Sequence, residues 1–205
     1  METAQQITAR INASFHELTD GGRSATHSWE HCYNFFSNVD PDLELASLHL
    51  AFYLASWGMY RGSAAIRNYD YLVHWPIAGL LLDTQYNTLR GASLDVLLDN
   101  FDGLLWPLVE RLRVPGLYPD GVNVTDTLAT KILLGTLGCT PAYDRYFKRG
   151  LAQCGLPQSF TQNNFRTVLQ FCMYQNEGFV NAQATKPEYP IMRVIDMYFH
   201  GLGRQ

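Results

Sequence analysis

Apolar residues recur at three- and four-residue spacing along nearly the whole chain, and alternation with period two is rare. That periodicity restricts the chain to amphipathic helices packed on one another. It predicts an all-α fold, a compact globular bundle of eight to ten helices with almost no strand. A first helix is expected over 3–18, with Ile7, Ile11, Phe15 and Leu18 on one stripe and Gly21-Gly22 ending it. A short aromatic helix follows from Ser28. Asp40-Pro41-Asp42-Leu43-Glu44 is a helix opening, with Asp40 as cap and Pro41 in the first helical position. That third helix is expected to run to about residue 60, stop near Gly62, and be central to the core because it is apolar on most sides.

Residues 63–90 read as one or two helices interrupted at Pro76, and 93–113 as a long helix bent at Pro107. The stretch 114–121 holds two prolines and two glycines and is the strongest break in the chain. It marks a candidate boundary, near 114–123, between two lobes of a single domain covering 1–205. Further helices are expected at about 125–138, 141–153, 161–183 and 188–201.

Charge and cysteine usage narrow the classes of function. The net charge is −4, which by itself does not suggest a binder of nucleic acid or anionic membrane. The distribution is uneven: residues 1–67 carry −3, 68–130 carry −5 and 131–205 carry +4. Four scattered cysteines without a C-x-x-C pair, and a polar N-terminal stretch, point to a reducing cytoplasmic setting. No run of apolar residues reaches the ~18 needed to span a membrane. His27 and His31 have H-x-x-x-H spacing but lack the Glu that a zincin places after the first His. They read as surface histidines, and no metal or cofactor is expected.

Two segments carry chemistry. The first, 57–63, puts Trp57, Tyr60 and Arg61 at the end of the most apolar helix. Arg61 is a candidate receptor for a phosphate or carboxylate, with Trp57 or Tyr60 stacking a ring. The alternative is structural: Arg61 bonding the last carbonyls of its own helix and pairing with Asp70. The second segment, 130–149, has a helix carrying Lys131, a short link ending at Pro141, and Asp144 in the first turn of a helix that also holds Tyr143, Arg145, Lys148 and Arg149.

That second pattern, a Lys-bearing helix followed by Pro-x-x-Asp opening the next, resembles divergent members of the helix-hairpin-helix DNA glycosylase superfamily. The resemblance covers 119–150, and the hairpin glycines of the superfamily are absent from it. It implies Asp144 as the catalytic carboxylate and Lys131 as the nucleophile of a bifunctional member. The stretch 48–62 resembles a bacterial protein family and brings no function with it.

Three functions follow as expectations. The first is a nucleic-acid-related helical protein, with Trp57, Tyr143 and Asp144 forming a base pocket and Lys131, Arg145, Lys148, Arg149 and Arg166 a basic face. The second is a non-enzymatic interaction or homodimerisation module, its aromatics at 29–36 or 189–199 exposed as a patch. The third is a small-molecule site anchored by Arg61.

Overall fold

Two helices run through the centre of the fold, and their sequences explain why. The first, α7 (Asp126–Thr136), is buried from Leu128 to Thr136. It begins where Thr125 accepts the Leu128 amide, with Asp126 at the positive end of the dipole. The other, α11 (Ile191–Arg204), buries every residue from Ile191 to Phe199. In the computed structural model the described residues are 2–19, 26–61 and 64–205; the side chains of 16–19 and 26 are not among them. Gly21-Gly22 and Gly62, expected as helix stops, lie outside that set.

Around these two pack α1 (Ala4–Thr19), α2 (Thr26–Phe36), α3 (Leu43–Ser56), α4 (Trp75–Leu81), α5 (Leu94–Asp99), α6 (Trp106–Arg113), α8 (Arg145–Gln153), α9 (Gln162–Tyr174) and α10 (Asn176–Gln183). Ten of the eleven have seven residues or more, and no strand occurs among the described residues. The fold is all-α, as the periodicity predicts. α1 lies across α10 and α11, α2 and α3 pair beside α7, and α5 packs on α9. Ile7, Ile11 and Phe15 form the buried stripe of α1. Side chains from before 114 and after 123 belong to one hydrophobic cluster, Leu108 and Leu112 with Leu128 and Tyr143 among them.

The tightest contact joins α8 to α11. Gly150 and Gly203 sit where the two backbones meet, and a Cβ on either would overlap a carbonyl oxygen, that of Phe199 or of Tyr146. Only glycine permits this approach.

Several local expectations are corrected. Asp42, not Asp40, caps α3, its Oδ1 accepting the Leu45 amide at 2.8 Å. Both acids suit a cap; the register that buries Ala46, Leu50 and Leu54 selects the later one. The helix stops at Ser56, where Gly58 takes φ 78° and the Met59 amide reaches back to the Leu54 carbonyl. It is not fully enclosed: Leu45, Leu48 and Phe52 are exposed. Pro76 opens α4 instead of interrupting a helix, and the flanking residues 65–68, 71–74 and 84–89 are short 3₁₀ segments. The rod over 94–113 widens into a π turn at Phe101–Leu105, because Pro107 has no amide to close the ordinary ladder. The helix expected over 161–183 is two, α9 and α10, changing direction at Gln175. Pro141 lies in the link before α8, which starts only at Arg145.

Candidate functional site

Four charged groups converge where α7, α8 and α11 meet the C-terminal end of α3. Lys131, on α7, is buried. Its Nζ donates to the Trp57 carbonyl at 2.9 Å and lies 5.6 Å from the Trp57 ring. Burial pulls its pKa down, and the charges of Asp144 and Asp196 oppose that pull. Arg193 and Asp196, one turn apart on α11, form a buried ion pair at 2.8 Å. Asp196 also accepts the Ala142 amide at 2.9 Å, which pins the 139–144 link to α11. Burial pushes the Asp196 carboxyl upward; Arg193 and His200 hold it down.

Asp144 is the N-cap of α8. Its Oδ1 accepts the amides of Tyr146 and Phe147 at 2.9 and 3.0 Å. Lys131 and Asp144, paired by the resemblance, form no ion pair with one another. Both are engaged structurally, one on a carbonyl and the other on two amides.

Arg193 is the most unusual group in this cluster. Its guanidinium lies close to two indoles, 4.9 Å from the Trp29 ring and 5.0 Å from that of Trp57. Contact with aromatic faces favours the cation while its N–H groups still need hydrogen-bond partners. Only Nη1 is used, on Asp196. Nε is buried and has no partner. An unsatisfied buried donor costs roughly 1–3 kcal/mol. Arg193, 2% exposed, lines a cleft of about 700 Å³ between α1 and α11. Trp57, Asp196 and His200 line it too, with Arg10 and Arg204 also on its lining. Arg10 is paired with Glu2 at 2.5 Å, whereas Arg204 has no ion-pair partner among the described residues.

The remaining expected site residues are dispersed. Arg61 is exposed, its side chain lying against Gly58, and the pairing with Asp70 is not formed; Asp70 caps the 71–74 turn instead. Tyr60 bonds His74 Nε2 at 2.6 Å, and His74 Nδ1 bonds the Tyr118 hydroxyl at 2.7 Å. Tyr143 is fully buried among Phe147, Phe160 and Phe165, so it walls no pocket. Arg145 bonds the Tyr146 hydroxyl, Lys148 is half-buried and Arg149 exposed. Arg166 pairs with Asp102 over the Phe101 ring, on α9. The five cations expected to make one basic face therefore do not, since Lys131 is interior and Arg166 is neutralised. The aromatics at 29–36 and 189–199 are likewise mostly interior: Trp29, Phe36, Tyr189, Tyr198 and Phe199 are all buried.

Arg193 and Asp196 were not among the residues singled out by motif. The signal was present in Met192-Arg193-Val194-Ile195-Asp196-Met197, two opposite charges at i and i+3 inside an apolar helix.

Fold and site together define a class: an all-α protein with a half-satisfied guanidinium lining a cleft. No protein-family model, curated protein or solved structure is significantly similar to this chain. No helix among the described residues is long and apolar enough to cross a membrane.

Proposed function

We propose that this chain binds a small organic anion in the cleft between α1 and α11, with Arg193 as the anchor. One observation carries the reading: a buried guanidinium lining the cleft, close to Trp29 and Trp57, with donor capacity left over after Asp196. A carboxylate or phosphate oxygen satisfies such an edge with charge-assisted bonds. Arg204 and His200 add donors on the lining, and Trp57 offers an indole beside them for an apolar or planar remainder. The role that the sequence offered to Arg61 passes to Arg193.

The test is thermal unfolding of the full chain against inorganic phosphate, a panel of mono- and dicarboxylates, and chloride at equal ionic strength. A ligand of the native state stabilises it by about 2.7 kcal/mol at a hundred times its Kd. Saturable stabilisation by a carboxylate or by phosphate, absent with chloride and weakened in Arg204→Gln and Arg193→Lys, is expected. No stabilisation of the wild type by any of them at millimolar concentration would overturn the reading. A short single-stranded DNA bound more tightly than any small anion, in a salt-dependent way, would replace it with the nucleic-acid reading.

A second reading, self-association, is favoured by a separate observation. α3 leaves a stripe of large apolar side chains on the outer surface, which a monomer of this size has no internal use for.

A further inference from the structure

The exposed residues of α3 are Glu44, Leu45, Leu48, Phe52 and Ala55. The apolar four are spaced by three, four and three, the seam of two helices packed side by side. Leu45 is 46% exposed, Leu48 45% and Phe52 62%. On the turn and helix packed against α3, Leu72 is 44% and Trp75 41% exposed. From the usual size of such side chains, these five present on the order of 500 Å². Together that is more than half of the ~800 Å² per partner of a standard interface.

Resting on the self-association reading, we infer that the partner is a second copy of this chain, docked with its α3 antiparallel to the first. Two features of the seam select that arrangement. Turned about a two-fold axis between positions 48 and 52, Leu45 faces Ala55 and Leu48 faces Phe52 of the other copy. Each large residue meets a smaller one, as interdigitated packing requires. A parallel pair stacks Phe52 on Phe52 and leaves a gap where Ala55 meets Ala55. The second feature is charge. Asp40, Asp42 and Glu44 lie at or before the start of α3, and Arg61, without an ion-pair partner among the described residues, follows its end. The antiparallel pairing sets the acidic end of each copy against Arg61 of the other, at both ends of the seam. The parallel one sets acid against acid. Such a contact is isologous and closes on itself as a dimer.

Sedimentation equilibrium of the full chain tests this. The wild type is expected to dimerise reversibly. Phe52→Glu should weaken the dimer at least tenfold, as the loss of a central anchor does. Arg61→Asp should also weaken it, by putting an acid opposite Asp40, and Asp40→Arg combined with Arg61→Asp should restore it. All three positions are exposed, and circular dichroism of each variant confirms that it is folded. A monomer at every concentration overturns both self-association and the geometry. A dimer that Phe52→Glu leaves intact keeps self-association but overturns this surface. A dimer sensitive to Phe52→Glu but not restored by the charge exchange overturns the antiparallel register.

Discussion

Asp144 satisfies two amides that the start of α8 would otherwise leave without partners, and it does so with one oxygen. Its local role is therefore a cap, whatever else its charge does for Lys131. Removing a capping side chain typically costs ~1 kcal/mol. Asp144→Ala should lower stability by about that amount in urea unfolding, whereas Asp144→Asn, which retains an accepting oxygen, should cost less. Equal losses in the two variants would show that charge, not capping, is what matters at this position. Arg193 differs in kind. Its charge is buried close to two indoles and answered by Asp196, so its neighbours cannot be removed without leaving a buried ion alone.

At the scale of elements, the contact of α8 with α11 depends on two missing side chains. Gly150 and Gly203 let the helices approach until backbone meets backbone, and that approach carries Tyr146 against His200, ring centroids 5.1 Å apart. A methyl at either position must push helices apart, since a carbonyl cannot turn aside as a long side chain does. Gly150→Ala should destabilise the fold by at least the ~1–3 kcal/mol of an overpacked core, despite the better helix propensity of alanine. An unchanged or raised midpoint of thermal unfolding would contradict the packing described. α3 teaches the opposite lesson. Its apolar composition reads as a core helix, yet α2 and α7 cover only part of its circumference.

On the scale of the whole molecule, a buried hydrogen-bonded chain ties distant parts together. His74 links Tyr60, after α3, to Tyr118, in the Pro- and Gly-rich stretch 114–121. The break that composition suggests as a boundary is thereby fastened to the rest. Burial lowers the His74 pKa from its ordinary 6.5 to about 4. The unfolded chain takes up a proton near pH 6.5, while the folded one refuses it until about pH 4. Stability should then fall as pH drops through that interval, by up to about 3 kcal/mol. Urea midpoints at pH 7 and pH 5 check this, with His74→Asn as the control that should lose the His74 share of the slope. Identical slopes for the two proteins would remove His74 as the source.

The all-α class and the buried stripe of α1 were legible from residue spacing alone. Those features rest on local physics: a 3.6-residue period that gathers apolar residues on one face of each helix. What only the tertiary structure decided is which apolar faces find partners and which charges end up inside. The exposed side of α3, the interior place of Tyr143 and the isolation of Arg61 follow from how helices distant in sequence stack. The same stacking buries Arg193, since the indoles close to it come from Trp29 and Trp57, more than a hundred positions away. A guanidinium reads the same in sequence whether it faces water or lies close to two indoles, and only the packed chain sets which.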